Sequence, residues 1–153
     1  MNTHIGRFAG LAGLVLLLTF RAFAEAPAGR YTVAGGTVHD GMTKLTWQQT
    51  PPSTTYTWAS AKTYCAGVGT TLGGSGWRLP TLKELLTLTD FSYSVMGSAF
   101  DPVAFPSPQP TSYWSASRSV FASSSAWVAS FSSGGSNPTA ADASKPYSVR
   151  CVR

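Results

Sequence analysis

The chain holds only two cysteines, Cys65 and Cys151, and both lie downstream of a segment that reads as a secretion signal. Arg7 supplies a positive start, and Phe8 to Phe20 is an apolar stretch built around Leu14-Val15-Leu16-Leu17-Leu18. Ala22-Phe23-Ala24 then gives the small-x-small pattern that a signal peptidase reads. Residues 1–24 are therefore expected to be a signal peptide, with the mature protein beginning at Glu25 and forming one domain over 25–153. The rival reading is an uncleaved membrane anchor, but the apolar core falls short of the about 20 residues that a span needs. No cysteine follows it to carry a lipid, and no later stretch reads as a membrane span. In an oxidising compartment, two cysteines argue for one disulfide. A bridge closing nearly the whole domain is worth roughly 4–5 kcal/mol in the loop-entropy account. The alternative is a pair of catalytic or metal-binding thiols, and neither a CxxC motif nor a neighbouring histidine supports it.

Export changes the charge balance. Without Arg7 and Arg21 the 11 basic residues fall to 9, against 6 acids, for a net charge of +3. A nucleic-acid footprint needs Lys and Arg clustered along one face, and this mild excess is not so arranged. Sparse charge with abundant Ser, Thr and Gly suits an extracellular domain with long ordered loops. Catalytic inventory is thin. His39 is the one histidine left after the leader, and beside Asp40-Gly41 it reads as an exposed turn residue rather than part of a Ser–His–Asp arrangement. Zinc needs three or four ligands, and no His, Cys and carboxylate cluster offers them. The glycines from Gly67 to Gly76 do not lead a strand into a phosphate-binding helix start. The chain is expected to use no cofactor and no metal, and not to be an enzyme.

Along the chain, Tyr31-Thr32-Val33, the Gly35-Gly36 break and Thr37-Val38 predict a strand or short hairpin, and Leu45-Thr46-Trp47 resumes the extended pattern. Pro51-Pro52-Ser53 marks a loop. From Thr57, apolar residues at Trp58, Ala61, Cys65 and Val68 keep to one helical face, and the glycines from 67 to 76 are expected to end that helix. Pro80 precedes Thr81-Leu82-Lys83-Glu84, a capping box that opens a second helix with Leu82, Leu85 and Leu86 inward, expected to run to about Asp90. Residues 91–112 read as a long ordered loop rich in proline and aromatics. Tyr113-Trp114-Ser115 and Ala126 to Phe131 predict strands, the latter with Trp127, Ala129 and Phe131 on one face, and Ser132 to Asn137 a turn. A final strand is expected to turn Tyr147, Val149 and Cys151 inward and Ser148 and Arg150 outward. The fold class is α+β: two helices packed on short antiparallel strands.

These residues together resemble a known family. Val38-His39-Asp40, Thr43, Leu45 and Trp47 are followed by Trp58-Ala59, Cys65 and Gly76-Trp77-Arg78-Leu79-Pro80-Thr81 with Glu84-Leu85. Phe105-Pro106, Tyr113-Trp114-Ser115 and the terminal Val149-Arg150-Cys151-Val152-Arg153 complete the pattern. From about Arg30 to Arg153 the chain is similar to the Lcl C-terminal domain family, a domain of unknown function also found at the ends of collagen-like bacterial adhesins. The resemblance implies a fold related to C-type lectin-like domains and to formylglycine-generating enzymes. In lectin-like domains a cysteine on the first helix bridges to one on the last strand, the places that Cys65 and Cys151 occupy here. Calcium-dependent lectins carry carboxylate-bearing loop motifs, whereas Gln109-Pro110-Thr111 lacks the acid and only Asp90 and Asp101 lie near. A calcium site is not expected, and the thiol chemistry of the formylglycine-generating enzymes does not carry over.

Arg78 is expected to be semi-buried and paired with Glu84 or Asp90, in preference to binding an anion. Trp77, Trp114 and Trp127 suit either a core or a sugar-stacking platform, with the core favoured. The candidate ligand surface is the long loop with Tyr93, Phe100 and Phe105, the adjoining Tyr113, and a basic patch of Arg118, Lys145, Arg150 and Arg153. Two function classes follow: an exported binding module for glycan or another envelope component, or a structural envelope and assembly protein. A thiol-dependent enzyme ranks behind both. The expected location is periplasmic, on the outer surface or extracellular. No nucleic-acid partner is expected, and no membrane span after signal cleavage.

Overall fold

Gly35 and Gly36 take φ of +56° and +76°, a left-handed pair that turns the chain back on itself in a two-residue hairpin. The hairpin joins β1 (Tyr31–Ala34) to β2 (Thr37–Asp40), and β3 (Thr46–Gln48) completes an antiparallel sheet in the order β1-β2-β3. The computed structural model describes residues 27–91, 99–106, 112–131 and 136–153. The expected leader, Tyr93, Gln109-Pro110-Thr111 and most of the turn at 132–137 lie outside the described residues. In the first sheet Val38 faces Trp47, and both side chains are fully buried.

Thr57 caps α1 (Trp58–Gly67) through its hydroxyl, which accepts from the Ser60 amide, and Trp58, Ala61 and Cys65 form the buried face. The glycine-rich stretch does not end the helical course at once: a further turn, α2 (Gly69–Leu72), follows before Gly73 breaks it at φ +73°. Gly69 permits that turn, since a Cβ there would stand 2.6 Å from the Gly74 carbonyl oxygen. Thr81 opens α3 (Leu82–Leu86) with both reciprocal bonds of the capping box in place. The helix stops short of Asp90. The amides of Leu88 and Thr89 reach back only three residues, and the Asp90 amide donates to Ala99 instead (2.7 Å), which draws the chain away.

The second sheet runs β4-β5-β6, from β4 (Ser112–Arg118) through β5 (Ser125–Ser130) to β6 (Asn137–Asp142), all antiparallel. Both faces of β4 and β5 carry core residues, while β6 is largely exposed. Tyr113 and Ala129 pair and point into one core cluster with Phe131, whereas Trp114 and Val128 pair and join a second cluster with Ala126. Trp127 departs from the expected set. It shares a face with Ala129 and Phe131 but lies half-buried beyond the core, against Phe121. β6 was not anticipated, and its Pro138 is accommodated because the strand is an edge.

The C-terminal segment is not a two-faced final strand. It is a seam: Tyr147 pairs with Tyr56, Ser148 with Tyr113, and Val152 with both Trp47 and Arg78. Covered on both sides, Ser148 and Arg150 are buried rather than outward. Cys151, in this seam, is bonded to Cys65 of α1 across 86 residues, with the Cα atoms 5.3 Å apart. No helix among the described residues is long and apolar enough to cross a membrane.

Candidate functional site

Three of the aromatic residues expected to form a ligand surface do something else. Phe100, Phe105 and Tyr113 are buried, and their rings surround the guanidinium of Arg150, whose Cζ lies 5.1, 4.8 and 5.8 Å from the three centroids. Arg150 Nη1 donates to the backbone carbonyls of Gln48 (2.7 Å) and Gln49, and burial pulls its pKa down. A buried cation needs partners: Nη1 finds two carbonyls and three rings surround the guanidinium, while the buried Nε and Nη2 are left without a hydrogen bond among the described residues. Phe100 and Phe105 of the long loop are therefore packed inward around Arg150, a residue the strand pattern placed outside, whereas Phe91 at the start of the loop is exposed.

Trp77 and Trp114 are also core, and each indole N–H is spent on a backbone carbonyl: Trp77 on Gly73 (2.8 Å) and Trp114 on Tyr56 (2.7 Å). They form no sugar platform. Arg78 pairs with Glu84 in a two-pronged bridge of 2.7 and 2.8 Å. Its side chain is 47% exposed, a surface position rather than a semi-buried one, because it lies along the outside of the capping box. Arg78, followed by the Thr81 amide, holds the Glu84 carboxyl down at about 2. Pro80 is buried, and its carbonyl accepts from Ala116, which fixes α3 against β4. A second bridge went unnoticed in the sequence. Arg30 grips the fully buried Asp40 carboxylate at 2.8 and 3.1 Å and also donates to the Thr87 carbonyl. Burial opposes the charge on Asp40, but hydrogen bonds from Arg30 and the Met42 amide outweigh it and lower its pKa.

His39 lies exposed on strand β2, not in the turn, and its ring meets the Thr46 hydroxyl at 3.4 Å. Both thiols are consumed in the disulfide. Among the described residues no group of three His, Cys, Asp or Glu is placed to hold a metal ion. A shallow groove of about 380 Å³ runs along α1 and α2, lined by Thr63, Tyr64, Gly67, Val68, Thr70 and Thr71. Each of its three threonine hydroxyls donates back to a helix carbonyl, so they offer a ligand acceptors alone.

Of the expected basic patch, the structure brings two members together with a residue that sequence reading passed over. Lys62 of α1 and Arg118 at the end of β4 both lie on the ring of Trp58, at 3.7 and 4.9 Å. The Trp58 amide donates to Ala143, two residues from Lys145, while Ala143 in turn donates to Ser124 of the β4–β5 turn. Lys62, Arg118 and Lys145 are thus exposed around one end of the second sheet. Asp142 lies there too, its carboxylate turned to the amide and hydroxyl of Ser144. Arg153 belongs to a different group, packed on Trp77 at 5.5 Å and against Gly74. The same turn carries Val120 and Phe121, 89% and 81% exposed, with Phe121 set edge-on to Trp127 at 6.3 Å. Nothing short of the folded chain assembles this end, because its parts come from α1, β4 and the segment after β6.

A family model described as the Lcl C-terminal domain matches residues 36–153. No curated protein matches the chain.

Proposed function

The chain belongs to the Lcl C-terminal domain family, and from that premise we propose that it is an exported, non-catalytic binding module for an acidic component of the cell envelope. The observation that carries this reading is the pair Lys62 and Arg118 on the ring of Trp58, with Lys145 two residues from the Ala143 carbonyl that the Trp58 amide reaches. Asp40 and Glu84 are committed to Arg30 and Arg78, and Asp142 is the acid that lies at that end beside Lys145, so three cations face one carboxylate there. A concentrated positive patch raises the local concentration of an anionic partner and steers its approach. A non-catalytic role is supported by the two bonded cysteines and by a histidine whose contact is a threonine hydroxyl.

The lectin-like reading of the fold is supported by the bond from α1 to the C-terminal segment, and export by the leader together with that bond. Intact mass before and after reduction tests export and the bond: the expected species begins at Glu25 and exposes two alkylatable thiols only once reduced. A retained leader would sink the export reading. For the binding site, the exported protein is passed over immobilised dextran sulfate at low and physiological salt. Replacing Lys62, Arg118 and Lys145 by Glu is expected to release it at lower salt than the same charge change at Lys44, Lys83 and Arg153. Equal behaviour of the two triple variants would remove the site from the proposal.

A further inference from the structure

The turn between β4 and β5 holds two consecutive large apolar side chains, Val120 and Phe121, almost wholly in solvent. Their exposure is built in. Ser119 donates its amide to Ser125 (3.0 Å), the Phe121 amide donates to the Ser119 hydroxyl (3.2 Å), and Ser125 donates to Ala122 (3.0 Å). Arg118 adds a longer contact to the Ser123 carbonyl, so the tip is held in shape by its own residues. Two adjacent apolar side chains held in solvent by a fixed turn make a candidate interaction site.

We infer that this tip seats in the interface of an anionic lipid bilayer, with Val120 and Phe121 entering the boundary between headgroups and acyl chains and Lys62, Arg118 and Lys145 meeting lipid phosphates. The inference rests on the reading that this end meets an acidic envelope component, and it names that component. Three features select lipid over a glycan or peptide. Val120 and Phe121 stand 89% and 81% exposed, and the groove on α1 and α2 involves none of the tip's residues. Phe121 and Trp127 meet edge-on at 68°, so together they present no flat platform for a sugar ring. An apolar tip beside a half-buried tryptophan and a fringe of lysine and arginine is the arrangement that partitions into a charged membrane surface, where the aromatic belt lies at headgroup level.

The test uses the protein recovered from the exported fraction with its disulfide intact, co-sedimented with vesicles of equal phosphatidylglycerol and phosphatidylcholine and with phosphatidylcholine alone. The chain is expected to bind the anionic vesicles more tightly, and added salt to weaken that preference. Replacing Val120 and Phe121 together by Ser should lower partitioning about tenfold or more while leaving retention on dextran sulfate unchanged. Because both side chains are exposed, the variant keeps its fold, which circular dichroism and the intact disulfide verify. Undiminished vesicle binding by that variant overturns the inference, as does a parent chain that binds dextran sulfate but no vesicle. In either case the polyanion reading stands. If charge reversal at Lys62, Arg118 and Lys145 also changes nothing, both fall.

Discussion

Cys65 in α1 and Cys151 in the C-terminal seam stand 5.3 Å apart between Cα atoms, and their bond joins positions 86 residues apart in sequence. Both cysteines lie in the same core cluster as Trp58, Trp77 and Trp114, so the bond ties α1 to the segment that joins the two sheets. Replacing both cysteines by Ala should lower the unfolding free energy by about 4 kcal/mol, because the open chain regains the entropy that the closed loop had lost. Urea unfolding of the parent with and without reductant, beside the double variant, measures it. A midpoint that is the same in all three would show that the seam holds without its bond.

The cage around Arg150 leads to a second expectation. Arg150→Ala would leave the Gln48 and Gln49 carbonyls without their donor and open a space among Phe100, Phe105 and Tyr113. The cost should be about 3–5 kcal/mol, in the range of large-to-small core changes. Arg150→Met fills much of that space and removes the buried charge, so it should cost less than Ala. Arg150→Lys keeps the charge but loses the planar stack and the paired donors. Urea midpoints of the three variants give the order. An alanine variant within about 1 kcal/mol of the parent would mean the aromatics pack without their cation.

The sheets and helices were unequally legible. α1 and α3 announced themselves because their signals are local: the 58, 61, 65, 68 spacing and the Thr81–Glu84 box need no distant partner. β6 carried no such signal. Asn137-Pro138-Thr139-Ala140-Ala141-Asp142 has neither β-branched alternation nor bulk, and it is a strand because β5 lies beside it. Period-two alternation failed at Arg150 for a related reason: alternation names an outer face only when one side is open, and here both are covered. Phe100 and Phe105 were visible as candidates, but the cation they pack around lies 50 and 45 residues later in the chain. Lys62, Arg118 and Lys145 come from three separate elements, so only the fold unites them.

Acid should weaken the fold through Glu84. Its folded-state pKa, held at about 2 by Arg78 and the Thr81 amide, lies below the ordinary glutamate value. A depressed carboxyl contributes stability that is complete above its unfolded pKa of about 4.3 and is lost as pH falls towards the folded value. Arg78 is well exposed, so solvent screening limits the contribution to about 1 kcal/mol. Glu84→Gln should therefore be less stable than the parent at pH 7, with the gap narrowing between pH 5 and pH 2. Asp40 titrates in the same direction in both proteins, so the difference between them isolates Glu84. A gap that stays constant down to pH 2 would assign the loss to the cap alone.

Two glycines at the end of the helical course make opposite predictions from the same substitution. Gly67 closes α1 with nothing within 4 Å of where a Cβ would stand, and its φ is not left-handed. Gly67→Ala should stabilise by about 0.5–1 kcal/mol, since alanine has less backbone freedom to lose and prefers the helix. Gly69 opens α2, where a Cβ would meet the Gly74 carbonyl oxygen at 2.6 Å and Trp77 Cδ1 at 3.0 Å. The carbonyl is backbone, and Trp77 is pinned by its indole bond to Gly73, so neither gives way cheaply. Gly69→Ala should destabilise by about 1–3 kcal/mol, the cost of forcing extra volume into a packed site. Thermal unfolding of both variants beside the parent reads the contrast directly. If the two shift the midpoint in the same direction, the close fold of α2 onto residues 73–77 is not what holds Trp77 in the core.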